Sequence, residues 1–386
     1  MRSVSIVSTG QTKFGEHWNK SFRELIAEAG INALGKEIEG QDIQAVYGGC
    51  MASGALIGQE HVGALIADQL GLNPIPSTRV EAACASGSLA LRSGYFAVAS
   101  GQYDCVAVGG VEKMTEVSTE KVTVALGGAG DQETELFHGA TFPALYALLA
   151  KRHMHEFKTT EEQLAAISVK SHKNGALNPN AQFQKEITIE QVMNSGYVAS
   201  PLKLLDCSPI TDGAAVAILM ETEKAKKLTD KAIEIIGSSQ ASDTLAIADR
   251  KTLTELNATK IASKQLFEQT KLTPKQISFA EVHDCFSINE LLASEDIGFF
   301  KKGEGGKAAE EGRTALDGEI PINPSGGLKA KGHPVGATGV AQVVEAFYQL
   351  NNMADKRQVK NAEIGLTHNV GGSGATVIMH AFRRAR

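Results

Sequence analysis

Residues 81–110 read EAACASGSLALRSGYFAVASGQYDCVAVGG, which combines a turn, a helix and a strand in one short stretch. Small residues surround a single cysteine, Cys84, and a run with helical spacing follows it. The segment DCVAVGG at 104–110 then has the apolar character of a strand and ends in two glycines. Strands that alternate with helices in this way are typical of an α/β fold.

The same order recurs near the other end of the chain. The turn GHPVGATG at 332–339 precedes a helix-like run, and AEIGLTHNVGG at 362–372 resembles a strand that ends in two glycines. Both stretches therefore hold a turn with a reactive side chain, then a helix, a strand and Gly-Gly. We predict a duplicated α/β unit.

A long insertion separates the two units. Residues 117–206 are more polar and poorer in strand-like runs than the segments around them. An insertion of this length is usually a functional element, and we expect a lid or a ligand-binding subdomain. Four basic residues in this region form either a solvated face or a contact for a phosphate-bearing ligand: Lys151, Arg152, Lys170 and Lys173.

The overall composition excludes several classes of function. The chain has 386 residues, a net charge of −6 and 42% apolar residues, so neither a nucleic-acid surface nor a membrane span is expected. Five cysteines without a CxxC pair argue against a disulfide framework or a structural zinc site: Cys50, Cys84, Cys105, Cys207 and Cys285. The N-terminal residues lack an apolar signal segment. We expect a cytoplasmic protein.

Cys84 allows two interpretations. A free cysteine is often buried in the core, which makes a packing role as probable as a catalytic one for this stretch alone. If a helix begins at about Ala85, however, its dipole and free N–H groups favour a thiolate at Cys84 and can hold an oxyanion.

His333 lies on the glycine-rich turn at 332–339. The segment GLKAKGHP has a histidine where a phosphate-binding loop needs a lysine, so we reject that interpretation. At a helix start the dipole lowers the pKa of an imidazole, so we expect His333 to be neutral and able to accept a proton.

The segment EVHDCFSINELL at 281–292 places His283 and Cys285 at the end of a predicted strand. Residues two apart in extended chain point to the same side, and ligands collect at such strand ends in α/β folds. Asp284 then points the other way and holds the turn. One histidine and one cysteine are too few ligands for a metal site.

Together with HNVGGSGAT at 368–376, these segments resemble the thiolase superfamily over nearly the whole chain. The resemblance extends to GQTKFG near the N-terminus and to DCSPITDGAAVAILM, which is similar to the segment that returns from the inserted loop domain of that family. It implies a duplicated five-layer αβαβα fold with an inserted loop domain. The implied division is an N-terminal half at 1–116, a loop domain at 117–206, a return segment at 207–229 and a C-terminal half at 230–386.

The resemblance also implies a role for each candidate residue. Cys84 is then the nucleophile, His333 its activator, and Cys285 the acid–base group of the second half-reaction. His283 takes the place of an asparagine that positions a water at an oxyanion. The backbone N–H groups of Cys84 and Gly371 form the other oxyanion hole. Neither a metal nor a bound cofactor is implied, and the substrates are coenzyme A thioesters.

One departure narrows the family. Many thiolases carry a cysteine at the position of Asn369, and NEAF where this chain has HDCF, so Cys285 is the natural replacement. This exchange is similar to thiolases linked to sterol carrier protein and to the archaeal acetyl-CoA acetyltransferases, which condense two acetyl-CoA to acetoacetyl-CoA.

The resemblance to this subfamily implies particular partners. We expect a homodimer or homotetramer and a possible complex with hydroxymethylglutaryl-CoA synthase and a small zinc-containing bridging protein. Two alternatives remain at this stage. One is a degradative 3-oxoacyl-CoA thiolase of longer or branched chains. The other is a thiolase-like scaffold that binds coenzyme A without turnover.

Overall fold

Strands and helices alternate along the chain in a computed structural model that describes residues 1–34 and 40–385. The strands are β1 Val4–Gln11, β2 Val46–Gly49, β3 Ser77–Val80, β4 Cys105–Glu112, β5 Tyr197–Ala199, β6 Leu202–Lys203, β7 Gly213–Glu221, β8 Ile233–Ser242, β9 Phe279–Glu281, β10 Ile364–Gly371 and β11 Thr376–Arg384. The helices are α1 Phe22–Leu34, α2 Ser53–Ile57, α3 Val62–Gln69, α4 Ser86–Ala99, α5 Thr119–Gly127, α6 Phe142–Phe157, α7 Glu161–Gly175, α8 Ile189–Met193, α9 Thr222–Leu228, α10 Asn257–Thr270, α11 Ser287–Asp296, α12 Gly305–Glu310, α13 Gly327–Ala330 and α14 Thr338–Leu350.

The main sheet has the strand order β3-β2-β4-β7-β1-β8-β11-β10-β9. Its two halves meet where β1 pairs with β8, at Ser5–Glu234 and Ile6–Ile233. Outward from this seam each half repeats the same pattern. In the first half β7 pairs antiparallel with β4, and β4 pairs parallel with β2; in the second, β11 pairs antiparallel with β10, and β10 pairs parallel with β9. The predicted duplication is confirmed.

Helices α4 and α14 form the layer between the two half-sheets. They pack against each other, α4 also contacts β4 and β2, and α14 contacts β10 and β7. On the outer faces, α1 covers β1 and β7, while α10 covers β8 and β11. Because both central helices begin at the predicted reactive turns, the layering brings the two turns to one place.

The insertion adds helices rather than strands of the main sheet. Between β4 and β7 the described chain forms α5 to α8 and the small β5–β6 hairpin. Helix α7 packs against α11, α12 and α13 of the second half. The insertion therefore lies over the end of the sheet where α11 and α13 begin. No helix in the described ranges is long and apolar enough to cross a bilayer.

Candidate active site

A cavity of about 910 Å³ opens where the two halves and the insertion meet. Cys84, Cys285 and His333 line it. One ring nitrogen of His283, one of His333 and the Cys84 Sγ atom lie within 4.8 Å of one another. The fold therefore brings together all four side chains that the sequence identifies.

The turn that carries Cys84 is tight. Ala83 has a φ of 51°, in the left-handed region that L-residues seldom occupy, and α4 begins two residues after the cysteine. The first turn of this helix contacts the other reactive turn closely, since a Cβ atom on Gly87 would lie 2.7 Å from the Gly336 carbonyl oxygen. Small residues are needed here so that the thiol and His333 can approach.

The surroundings of Cys84 favour the neutral thiol, against the thiolate that its position at a helix start favours. Burial raises the pKa of the Cys84 thiol to about 12, and a hydrogen bond from the Gly372 backbone lowers it only in part. Burial opposes the thiolate that the helix start favours, because it removes the sulfur from water.

His333 is neutral, as predicted, but for another reason. Burial alone lowers the pKa of its imidazole to about 3. The Nδ1 atom of His333 lies 2.7 Å from the Thr338 hydroxyl oxygen. The His333 backbone N–H donates a hydrogen bond to the Thr211 hydroxyl at 3.0 Å. Its Nε2 has no partner among the described residues. His333 therefore presents a free nitrogen to the cavity.

His283 lies beside His333, with ring centroids 5.0 Å apart in an edge-to-face contact. Its Nδ1 is 2.9 Å from the Asn369 amide nitrogen, and its Nε2 has no partner among the described side chains and backbone. Burial, followed by the neighbouring His333 and His368, lowers the pKa of His283 well below its ordinary value. Two neutral imidazoles therefore face the nucleophile.

Cys285 completes the group, with 7% of its surface exposed. Burial and the neighbouring Cys84 raise the pKa of the Cys285 thiol well above its ordinary value, while a hydrogen bond with Tyr146 opposes this. The adjacent Asp284 does hold the turn, because its Oδ1 accepts a hydrogen bond from the Leu328 N–H at 2.6 Å. Once ionised, Cys285 would be a strong base.

Gly372, which the sequence did not single out, lies next to the oxyanion hole that was predicted from the N–H groups of Cys84 and Gly371. Gly372, not Gly371, lines the cavity and donates its backbone N–H to Cys84. Gly371 is the last residue of β10 and packs on the turn, since a Cβ there would lie 2.4 Å from the Ala82 carbonyl oxygen. A direct role for the Gly371 N–H stays a prediction.

Cys84, His283 and His333 also form the kind of thiol and imidazole group that a zinc ion takes. His283 and Cys285 are neighbours in the sequence, whereas His333 and Cys84 come from distant turns, so this triangle leaves no local sequence signal. That the site works without a metal remains a prediction.

Two family models cover most of the chain. The model described as the thiolase N-terminal domain matches residues 4–223, and the one described as thiolase C-terminal domain-like matches residues 239–384. The chain belongs to the thiolase family.

Among its relatives is an acetyl-CoA acetyltransferase of Methanothermobacter thermautotrophicus, 56% identical over 100% of both chains. Another of that name, from Methanocaldococcus jannaschii, is 51% identical over 98% of both chains. Human sterol carrier protein 2 is 35% identical, over 98% of this chain and 71% of its own. A solved structure, the Ltp2-ChsH2(DUF35) aldolase, shares the fold, with a TM-score of 0.86, 24% identity, and coverage of 100% of this chain and 98% of its own.

This thiolase contains a further buried residue that joins the loop after β2 to the turn of His333. Glu112, at the end of β4, accepts hydrogen bonds from the backbone N–H groups of Met51, Ala52 and Gly336 at 2.9–3.1 Å. Its contact with Gly336 connects the first half of the thiolase to the turn of His333. A glutamate at the end of an apolar strand was the available sequence signal, but its partners are too distant in sequence to be inferred.

The basic residues of the insertion do not line the main cavity of the thiolase. Lys170 forms a buried ion pair with Glu290, and Arg152 pairs with Glu156 on the same helix. Lys13 and His17, from the loop after β1, line the cavity instead. They are positive or titratable groups that sequence reasoning missed.

Proposed function

We propose that this thiolase is an acetyl-CoA C-acetyltransferase that condenses two acetyl-CoA to acetoacetyl-CoA and coenzyme A, reversibly. The observation that carries the proposal is the meeting of Cys84, Cys285 and His333 at one cavity, with His283 close to Cys84 and His333. The relatives named acetyl-CoA acetyltransferase support the choice of acyl group.

The first half-reaction transfers the acetyl group to Cys84. The sulfur attacks the thioester carbon while the thiol proton passes to His333, whose Nε2 is free. The Gly372 N–H, which already lies at the sulfur, supports the oxyanion of the tetrahedral intermediate. The carbon–sulfur bond to coenzyme A then breaks, and the leaving thiolate takes the proton back from His333.

The second half-reaction forms the carbon–carbon bond. The Cys285 thiol gives its proton to the neutral His333, and the resulting thiolate removes a proton from the methyl group of the second acetyl-CoA, while His283 and His333 face the enolate oxygen. The enolate carbon attacks the acetyl-cysteine, and Cys84 leaves as a thiolate. His333 returns its proton to Cys84, and Cys285 keeps the methyl proton, which restores both thiols. No metal or cofactor is required by this sequence of steps.

The choice of a short acyl group is supported by what lies next to the nucleophile. Cys84 packs against an apolar cluster that contains Met114, Leu126 and Val335. These side chains line the cavity beside the thiol and offer an apolar surface for the methyl group of an acetyl unit. A degradative thiolase of longer chains would use the same catalytic groups and a wider pocket.

The protein's setting is also part of the proposal. Condensation of two acetyl-CoA is uphill, so a biosynthetic enzyme needs its product consumed. We place the protein in the cytoplasm as a homodimer or homotetramer, in a complex with hydroxymethylglutaryl-CoA synthase and a small zinc-containing bridging protein, where it feeds isoprenoid synthesis. The five cysteines are free thiols, which suits a reducing compartment.

The test is thiolysis of acetoacetyl-CoA, measured with and without the co-expressed synthase. We expect rapid cleavage to acetyl-CoA by the protein alone, and net synthesis from acetyl-CoA only when the synthase is present. A substrate series of increasing acyl length should show the highest kcat/KM at acetoacetyl-CoA. Faster cleavage of long-chain 3-oxoacyl-CoA would favour the degradative alternative, and no cleavage at all would favour the scaffold.

A further inference from the structure

The two histidines of the site carry the same ring and need opposite proton positions. Both Nε2 atoms are buried and unpartnered among the described residues, and the rings are in edge contact. Under the proposed function, His333 accepts the thiol proton and so needs a lone pair on Nε2. His283 stabilises an oxyanion and so needs a proton there.

His333 has its tautomer set by Thr338. The Thr338 hydroxyl donates to the Pro334 carbonyl oxygen at 3.0 Å, so its single proton is already used. The same hydroxyl is 2.7 Å from His333 Nδ1 and must accept from it. The proton of His333 is therefore on Nδ1, and Nε2 keeps its lone pair.

His283 has the opposite arrangement because its partner is an amide nitrogen. Asn369 Nδ2 lies 2.9 Å from His283 Nδ1 and has only protons to offer, so Nδ1 accepts. The proton of His283 is therefore on Nε2, the atom without a partner. The reverse orientation of the amide would leave two lone pairs facing one thioester oxygen.

The other end of the amide supports this orientation. The Asn369 Oδ1 and the Ser88 hydroxyl both lie 2.6 Å from the place that a Cβ on Gly339 would occupy. Both atoms are buried and have no hydrogen-bond partner among the described residues. The Ser88 hydroxyl, which can donate, lies on the side of the amide that carries the oxygen.

The sheet sets the position of Asn369. Strands β9 and β10 pair in parallel with Glu281 opposite Thr367. Strand β9 ends at Glu281, and two residues further along each segment the side chains of His283 and Asn369 meet. Asn369 is fully buried, and its side-chain contact toward the reactive groups is with His283.

We propose that Asn369 is a positioning residue that holds His283 in the Nε2-protonated tautomer, so that the two histidines act as one donor and one acceptor. This inference rests on the proposed function for the roles of the histidines, but the tautomer itself is a property of the free enzyme. Asn369 then has a task of its own and is more than the replacement of a missing cysteine.

The decisive variant is Asn369→Asp, which keeps the shape and replaces the amide donor by an acceptor. The carboxylate draws the His283 proton to Nδ1 and turns a lone pair toward the thioester oxygen. We expect kcat for acetoacetyl-CoA thiolysis at neutral pH to fall by about 10²- to 10⁴-fold, with KM nearly unchanged. As the pH is lowered, the variant should regain activity relative to wild type, because a doubly protonated His283 again carries a proton on Nε2.

Two further variants separate positioning from structure. Asn369→Ala removes the donor without forcing a tautomer, so its loss should be smaller and without recovery in acid. Asn174→Asp adds the same charge at another buried asparagine, whose Nδ2 donates to the Asn323 carbonyl oxygen at 3.0 Å, and should also show no recovery in acid.

The direct readout is ¹⁵N NMR of the full-length protein labelled at histidine, with the His283 signals assigned by their loss in His283→Gln. Wild type should show a protonated Nε2 and an unprotonated Nδ1 on His283 in the absence of substrate, and Asn369→Asp should show the reverse. A wild-type His283 protonated on Nδ1, or an Asn369→Asp enzyme as active as wild type at neutral pH, would overturn the proposal. The spectrum of the wild type tests the tautomer of His283 even if the variant fails to fold or the proposed activity is absent.

Discussion

The two reactive turns occupy equivalent places in the duplicated fold, one before α4 and the other before α14, yet they carry opposite chemistries. The first presents the Cys84 thiol and the second the His333 imidazole. Burial raises the pKa of Cys84 to about 12 and lowers that of His333 to about 3, so one cause acts in opposite directions on an acid and a base. Both groups are neutral over most of the pH range between. Neither Cys84 nor His333 carries a charge before the substrate binds, and the thiol proton moves to His333 only as the thioester is attacked.

The largest effect should come from removing the thiol of the first turn. Cys84→Ala removes the nucleophile, and we expect thiolysis of acetoacetyl-CoA to fall by ~10³-fold or more. Steady-state kcat measures this loss. Cys105→Ala is the control, since Cys105 is buried in the core at the start of β4. A Cys84→Ala enzyme that remained active would show that the first turn does not carry the nucleophile.

Removing the imidazole of the second turn should lower kcat somewhat less. His333→Asn keeps a polar group but removes the proton acceptor, and we expect kcat to fall by ~10²- to 10⁴-fold, with Cys84 still able to react slowly. The rate of the acylation burst measures this step. A burst within twofold of wild type would show that the thiol does not need the imidazole.

The neutral state of the thiol predicts how Cys84 reacts with iodoacetamide. Since the thiolate is the reactive form, alkylation should rise by about tenfold per pH unit from pH 7 upward, without a plateau near neutrality. Peptide mass spectrometry measures the rate at Cys84 alone. A rate that is already flat at pH 6–8 would indicate a preformed thiolate–imidazolium pair and contradict the comparison.

Sequence reasoning found the reactive turns because small residues and glycines before a helix-like run leave a local signal. It also placed His283 and Cys285 correctly from the end of a strand. The position of Cys84 before a helix favoured a thiolate, because the polarity of a helix can be inferred locally. The burial that raises the pKa of this thiol depends on the whole fold. Glu112, Tyr146 and the pairing of Asn369 with His283 were missed for the same reason, because each acts through residues far away in the chain.

A smaller effect tests burial itself on a histidine outside the two turns. Burial, followed by Arg92, lowers the pKa of His380 to about 3, so below about pH 6.5 the unfolded chain binds a proton that the folded chain does not. This group therefore makes the free energy of unfolding decrease as the pH falls. In His380→Gln that decrease should be shallower than in wild type by about one proton, measured by urea unfolding between pH 6.5 and 4.5.

The exposed His155→Gln is the matched control and should leave the slope unchanged. An unchanged slope in His380→Gln would show that burial does not keep this imidazole neutral, and would weaken the same explanation for His333.

The smallest expected effect is that of metal removal. Cys84, His283 and His333 could together bind zinc, but the proposed steps use them for proton transfer. Dialysis against a chelator should therefore leave kcat for thiolysis unchanged, with the metal content followed by elemental analysis. A loss of activity that zinc restores would assign the triangle to a metal.

The central claim is that the first turn carries the acyl group and the second does not. Incubation with isotopically labelled acetyl-CoA, followed by peptide mapping, tests this directly. The label should be found on Cys84 in wild type, accumulate there in Cys285→Ser, and be absent in Cys84→Ala. Label on Cys285 or His333, or a labelled Cys84→Ala protein, would contradict the account.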